Sequence, residues 1–133
     1  MAGVALEACG ITKRYGAVVA LDAVSLAVAE GECVALVGES GSGKSTLLKA
    51  FNALTWVDAG RVLVDGRDVA AGDPVALRRA LGYVPQDGGL LPHWRVLRNV
   101  AFVPTLLGLP APVEDARRAM DIVGLSVATL GGR

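Results

Sequence analysis

The sequence predicts an α/β fold, and three consecutive features of its first half predict it. Residues 33–37 are continuously apolar, as expected of a strand buried on both faces of a sheet. Residues 38–46 are rich in glycine and serine, which indicates a loop. Apolar residues then recur at helical spacing: Leu47, Leu48, Phe51 and Leu54. A helix is therefore expected from about Lys44 to Leu54, and strand, loop and helix in this order begin a layered α/β domain.

The loop fits the phosphate-binding pattern G-x-x-x-x-G-K-[ST] at every fixed position. Glycines let the backbone curl so that successive N–H groups point inward at an anion, and the helix that follows adds its unpaired N–H groups and dipole. A chance glycine-rich turn is the alternative, but the flanking strand and helix favour a phosphate loop. The predicted nucleotide-binding residues are Gly38, Glu39, Ser40, Gly41, Ser42, Gly43, Lys44, Ser45 and Thr46. Lys44 is expected to reach the outer phosphates, and the Ser45 hydroxyl is expected to ligate Mg²⁺.

Further strands are expected on both sides of this unit. Residues 4–8 favour a short strand, and residues 24–29 alternate as a half-buried strand does. Residues 61–64 favour another strand, and the Asp65-Gly66 pair that follows is a strong hairpin signal. Residues 82–84 favour one more core strand.

The second half is predicted to be helical. A short helix is expected at residues 74–81, because Asp73 is a favoured N-cap and Pro74 a favoured first helical residue. Residues 95–107 favour a helix that Pro104 kinks or breaks. A last helix is expected from Pro112 to Gly124, with one apolar face.

Composition narrows the function classes. The chain carries 13 Lys and Arg residues against 13 Asp and Glu residues. With this charge balance and no basic run interleaved with aromatic residues, no nucleic-acid partner is expected. No apolar stretch reaches the ~18 residues that a membrane span needs, and no signal peptide is recognisable, so a cytoplasmic location is expected.

Taken in order, several segments resemble the ATP-binding subunits of ATP-binding cassette (ABC) transporters. They are ITKRYG at residues 11–16, ALDAVSL at 20–26, the loop and helix at 38–48, GRVLVDG at 60–66 and GYVPQ at 82–86. The resemblance extends from about Leu6 to about Leu125. It implies a P-loop NTPase core with an antiparallel β subdomain at about residues 4–94, followed by the start of the ABC helical subdomain at about residues 95–125. Residues 82–94 are also similar to ATPases of glycine betaine/choline/proline importers.

The resemblance implies roles for two further residues and for one loop. Tyr15 looks like the aromatic residue that stacks on adenine, a contact worth ~1–3 kcal/mol. Gln86 looks like the Q-loop glutamine, which contacts Mg²⁺ and the attacking water. The loop from Asp87 to Trp94 looks like the surface that meets the membrane subunits. Without the resemblance, Tyr15 would be an ordinary half-buried tyrosine, Gln86 a solvated residue, and the loop's apolar side chains could pack into the chain's own core. His93 is not expected to act chemically.

The resemblance also implies a function and its limits. From the family pattern we expect an ATPase subunit that drives solute transport. It is expected to pair with a second ATP-binding subunit on the inner face of the membrane. Import of an osmoprotectant or an amino-acid-like solute is favoured. The family's signature motif and the strand that ends in Asp and the catalytic Glu do not occur in this sequence. We therefore expect a chain truncated before the second half of the fold, which binds ATP weakly and does not hydrolyse it at a normal rate alone. A regulatory nucleotide-binding module, another type of P-loop enzyme and a truncated product without function are the alternatives.

Overall fold

A computed structural model describes residues 3–86 and 88–125 of this chain. The chain forms two compact units, Met1–Tyr83 and Val84–Arg133. Within the described ranges, no helix is both long enough and apolar enough to cross a bilayer.

The first unit contains an antiparallel four-stranded sheet in the order β2-β1-β3-β4. Its strands are β1 (Val4–Tyr15), β2 (Val18–Ala29), β3 (Ala59–Val64) and β4 (Arg67–Asp68). The hairpin predicted at Asp65-Gly66 is confirmed: both residues have positive φ, and Val64 pairs with Arg67 across the turn. The antiparallel sheet expected from the resemblance is therefore present.

The first two strands are much longer than predicted. A two-residue turn at Gly16 and Ala17 joins them, so that Tyr15, the last residue of β1, pairs with Val18, the first residue of β2. The predictions of residues 4–8 and 24–29 covered only the ends of this hairpin that are distant from the turn. The alternation of apolar and polar residues is interrupted along β1, where register shifts lie between Ala8 and Arg14, so the periodicity signal was lost there.

Helix α1 (Lys44–Phe51) covers one face of the sheet. Leu47, Ala50 and Phe51 of α1 are buried, and they belong to a core shared with the strands. The strand residues of that core are Ala8, Ile11, Leu21, Val62 and Val64. Ile11 is completely buried. Since α1 begins at the phosphate loop, this packing fixes the loop against the sheet.

Helix α2 (Pro74–Ala80) begins as the sequence predicts. An Asp73 carboxylate oxygen accepts a hydrogen bond from the backbone N–H of Val75 at 2.8 Å, and Pro74 is the first helical residue.

The second unit contains three helices in its described residues, α3 (Val96–Val100), α4 (Phe102–Leu106) and α5 (Pro112–Ile122). The single helix predicted at residues 95–107 is two short helices that meet at Ala101. Pro104 does not cause this break, because it lies in the first turn of α4, where a backbone N–H has no helical acceptor. The predicted end of α5 is confirmed by Gly124, which follows the helix with a φ of 72°.

Two predicted core strands are wrong for this structure. Residues 33–37 and 82–84 are irregular, and neither segment has a strand partner within residues 3–86 and 88–125. The side chains of Val37 and Val84 are 94% and 92% exposed, whereas Leu36 packs partly against the core. The physical reason is that a strand exists by hydrogen bonding to a neighbouring strand, and an apolar run alone does not supply that neighbour.

Candidate nucleotide-binding site

The phosphate loop ends in the first turn of α1. Gly43 is the N-cap residue, and the first helical hydrogen bond runs from the N–H of Leu47 to the carbonyl of Gly43 at 2.9 Å. The N–H groups of Lys44, Ser45 and Thr46 precede that bond and have no helical acceptor. They lie at the positive end of the helix dipole, which favours an anion at this position.

Lys44 lies across the loop that precedes it. Its ammonium Nζ donates to the carbonyl of Gly38 at 2.8 Å, to the carbonyl of Glu39 at 2.7 Å and to the Ser42 hydroxyl oxygen at 3.2 Å. Ser42 also closes the turn, because its N–H donates to the Glu39 carbonyl at 3.2 Å. The loop oxygens therefore hold the Lys44 ammonium at the loop, where its positive charge favours an anionic ligand.

Gly43 lies against strand β2 with no room for a side chain. A Cβ atom at this position would lie 2.2 Å from the carbonyl oxygen of Ala20 and 3.1 Å from Cδ2 of Leu21. Its φ of 90° is also one that residues with a Cβ rarely adopt. The glycine of the pattern thus lets the loop approach β2, in addition to letting the backbone turn.

Tyr15 lines the same pocket as the phosphate loop. This pocket has a volume of about 270 Å³ and is lined by Tyr15, Val18, Ala20 and residues 41–46. Tyr15 is brought there by the hairpin, since it ends β1 directly beside Val18, while Ala20 on β2 contacts Gly43. The tyrosine is 51% exposed, so much of its ring is open to solvent. The structure thus brings together an aromatic ring and a phosphate loop that lie far apart in the sequence.

The first residues of the loop lie on another side of it. Gly38 lines a separate pocket of about 430 Å³ together with Ser42, Gly43 and Lys44, and Leu21 and Leu47 form part of its apolar wall. Glu39 and Ser40 are exposed. Their carbonyl and backbone groups shape the loop, and the carbonyls of Gly38 and Glu39 anchor Lys44.

Asp58, which the sequence reasoning missed, lies next to the residues that precede Tyr15. One of its carboxylate oxygens accepts from Nζ of Lys13 at 2.9 Å, and the other accepts from the N–H of Arg14 at 2.7 Å. The hydrogen bond from Lys13, followed by that from the Arg14 backbone, holds the pKa of Asp58 below its ordinary value of 3.8. No sequence spacing could have revealed this contact, because it joins strand β1 to the residue directly before β3.

Ser45 is suitably placed for a magnesium ligand. Ser45 lines the pocket that the loop and Tyr15 share, and its side chain carries a hydroxyl. Hydroxyl and phosphate oxygens are the ligands that Mg²⁺ prefers. The Ser45 hydroxyl is therefore a chemically suitable ligand for Mg²⁺ at this loop. Gln86, the other predicted ligand, is an exposed residue of the second unit.

The loop predicted to dock a partner is built around Asn99. The side-chain oxygen Oδ1 of Asn99 accepts from the N–H of Leu91 at 2.7 Å. Its amide nitrogen donates to the carbonyls of Leu91, Trp94 and Arg95 at 3.1, 3.2 and 3.3 Å. One side chain therefore ties together residues 91–95. Asp87, the first residue of the predicted docking loop, lies outside the described residues.

Trp94 is held by its own neighbours in the second unit. Its ring packs edge-to-face on Phe102 with centroids 5.3 Å apart, and the Arg98 guanidinium carbon lies 4.1 Å from its centroid. Trp94, Arg98 and Phe102 also line an apolar pocket of about 490 Å³. Leu90 is 66% exposed, so the loop combines a packed tryptophan with an apolar side chain in solvent.

The chain is similar to known ATP-binding proteins. The sequence model of the ABC transporter family matches residues 21–130. The Fe(3+) ions import ATP-binding protein FbpC of Streptomyces coelicolor is 46% identical over 131 residues, which cover 92% of this chain and 37% of that protein. The choline transport ATP-binding protein OpuBA of Bacillus subtilis is 39% identical over 118 residues, which cover 86% of this chain and 31% of that protein.

A solved structure is similar over nearly the whole chain. It is the dimeric ATP-binding cassette MJ0796 in a post-hydrolysis state bound to ADP and Pi, with a TM-score of 0.81 and 27% identity. The match covers 94% of this chain and 60% of that one. This chain spans about a third of the length of the two curated relatives described above. The family match covers most of the chain, and the chain therefore belongs to the ABC transporter family.

Proposed function

We propose that this chain is the nucleotide-binding segment of the ATPase subunit of an ABC importer. The observation that carries the proposal is the pocket that Tyr15 lines together with residues 41–46 of the phosphate loop. The lining of this pocket combines an aromatic side chain with the Lys44 side chain and the start of a helix. An adenine nucleotide has the complementary arrangement of a flat base and a polyphosphate.

Each group has a distinct part in this proposal. The adenine ring stacks on Tyr15, which would contribute ~1–3 kcal/mol without hydrogen bonds that read the base. The phosphates accept from the N–H groups at the start of α1 and from Lys44, which exchanges some of its contacts with the loop carbonyls for phosphate oxygens. Ser45 and Gln86 would hold Mg²⁺, which neutralises phosphate charge when it is bound. Gln86 would also contact the attacking water in the whole protein.

The partners are proposed from the resemblance and from the chemistry of the second unit. The loop of residues 87–94 would meet the membrane subunits, and the apolar pocket beside Trp94 supports this because apolar aromatic surface is typical of interface cores. A second ATP-binding subunit would complete a dimer, as in the similar structure, which is dimeric. Such a protein would be located in the cytoplasm, on the inner face of the membrane. We keep the division into residues 4–94 and 95–125 as a proposal for its subdomains.

The identity of the transported solute is less well supported than the transport function. Two relatives are named for the transport of choline and for the import of Fe(3+) ions, so the relatives do not agree on a solute. The similarity of residues 82–94 to betaine and choline importers favours an osmoprotectant or an amino-acid-like solute. Uptake by cells that express the whole transporter, assayed with labelled choline, glycine betaine and ferric ion, would test that choice.

Nucleotide binding can be tested on the chain itself by titration calorimetry with MgATP. We expect Lys44→Ala to weaken binding at least about tenfold, because a charge-assisted contact is lost. Tyr15→Ala should weaken it about 5- to 150-fold and Tyr15→Phe far less, because phenylalanine keeps a stacking face. Tyr83→Ala is the matched control, since Tyr83 is similarly exposed at 44% but does not line this pocket. Equal losses at Tyr15 and Tyr83, or no ATP binding by the unmodified chain, would overturn the proposal.

Turnover is measured separately by phosphate release. We expect the chain to bind ATP without hydrolysing it at a normal rate, which also accommodates a regulatory, non-hydrolysing role. Steady phosphate release that disappears in Lys44→Ala would contradict this expectation and favour an autonomous ATPase.

A further inference from the structure

We infer that Asp58 is a positioning residue for adenine binding: it fixes the end of strand β1 and thereby holds Tyr15 in place beside the phosphate loop. This inference rests on the proposed role of Tyr15 as the base-stacking residue. It assigns a function to an acidic side chain that lines no part of the nucleotide pocket.

The last residues of β1 pair with a neighbouring strand on one side only. Pairing between β1 and β3 runs from Leu6 to Thr12, whereas pairing with β2 continues to Tyr15. Asp58 lies directly before β3 and takes over where that ladder ends. Its N–H donates to the Thr12 carbonyl at 2.8 Å, and its carboxylate accepts from the N–H of Arg14 at 2.7 Å. Asp58 therefore extends the attachment of β1 to within one residue of Tyr15.

The side chain of Lys13 connects this attachment to the tyrosine ring. Nζ of Lys13 donates to Asp58 at 2.9 Å and lies 5.5 Å from the centroid of the Tyr15 ring. The Tyr15 hydroxyl lies 3.5 Å from the Thr55 hydroxyl, three residues before Asp58. Asp58 thus contacts the backbone directly before Tyr15, and Thr55 contacts the hydroxyl of its ring.

The consequence for binding is preorganisation. Tyr15 is half exposed and is followed by the turn at Gly16, so without Asp58 the end of the hairpin would have more conformations available. Ordering it on binding would then cost affinity for the base. The phosphates would not be affected, because Asp58 does not line the pocket of residues 41–46. Since the carboxylate is 44% exposed, its ion pair with Lys13 contributes little to overall stability.

The test compares MgATP with inorganic tripolyphosphate and Mg²⁺ as ligands of the chain. We expect Asp58→Ala to raise the Kd for ATP about 3- to 10-fold and to change the Kd for tripolyphosphate less than about twofold. Its melting temperature should fall by only a few degrees. Asp58→Asn keeps an acceptor for the Arg14 N–H and should recover part of the affinity. Glu30→Ala is the control, because Glu30 is an exposed acidic residue at the far end of β2, and it should change neither Kd.

A double-mutant cycle separates this inference from the proposed function. If Asp58 acts through Tyr15, Asp58→Ala should cost no further ATP affinity in a Tyr15→Ala background. Equal losses for ATP and tripolyphosphate, or additive losses in the cycle, would overturn the inference and leave the proposed role of Tyr15 intact. No effect of Tyr15→Ala itself would instead refute the stacking role, and the inference with it. If Asp58→Ala does not fold, Asp58→Asn and Lys13→Met supply the same comparison.

Discussion

Replacing Gly43 with alanine would place a methyl group where the carbonyl oxygen of Ala20 already lies. The two atoms would be 2.2 Å apart, and because the oxygen belongs to the backbone of β2, rotation of a side chain cannot relieve the overlap. The phosphate loop would have to withdraw from the strand. The φ of 90° at this position adds a second cost, since a residue with a Cβ is strained there.

The two costs can be separated with a second glycine of the same loop. Gly41 has a similar φ of 84°, but a Cβ atom there would have no atom within 4 Å. Gly41→Ala should therefore lower the free energy of unfolding by about 1–2 kcal/mol, the cost of the backbone conformation. Gly43→Ala carries the same cost and an overlap worth about 1–3 kcal/mol more, so we expect a total loss of about 2–5 kcal/mol.

Urea unfolding followed by circular dichroism measures this difference. We also expect Gly43→Ala to reduce ATP affinity more than about tenfold, because moving the start of α1 misaligns its N–H groups and Lys44 with the phosphates. Equal losses of stability in the two variants would refute the reasoning, since they would show that the approach of Gly43 to β2 costs nothing to disrupt.

Two further measurements test the hydrogen bonds made by the side chains of Asp58 and Asn99. In an NMR titration, the carboxyl of Asp58 should have its midpoint below 3.8, because its pKa is lowered in the folded state. The stabilising contribution of this carboxylate should be fully present above pH 3.8 and should be lost as the pH falls through the lower pKa of the folded state. Lys13→Met should move the midpoint upward, and a midpoint above 3.8 in the unmodified chain would contradict the ion pair. Asn99→Ala should destabilise the loop of residues 91–95 by about 1–3 kcal/mol, because partly buried backbone groups lose their partner. The indole NMR signal of Trp94 should shift while that of Trp56, in the first unit, stays unchanged, and a shift of both signals would contradict this local role.

The resemblance of ordered segments led to the family, and the comparisons confirm it. Local elements were also predicted well from the sequence. The cap at Asp73, the turn at Asp65-Gly66 and the end of α5 at Gly124 all depend on residues a few positions apart. Their energies arise from neighbouring backbone and side-chain groups, so a short stretch of sequence contains the information that fixes them.

The sequence by itself determined the phosphate loop, because its glycines, its lysine and the helix start are contiguous and interact with one another. Only the tertiary structure decided what surrounds that loop. The β1–β2 hairpin carries Tyr15 to its pocket, Asp58 joins the end of β1 from its place directly before β3, and Gly43 fits against Ala20. It also decided that residues 33–37 are not a strand here, although their apolar run predicts one. The physical reason is the same in each case: strand pairing, ion pairs between distant segments and close backbone contacts depend on partners distant in sequence, which the residues of one segment do not encode.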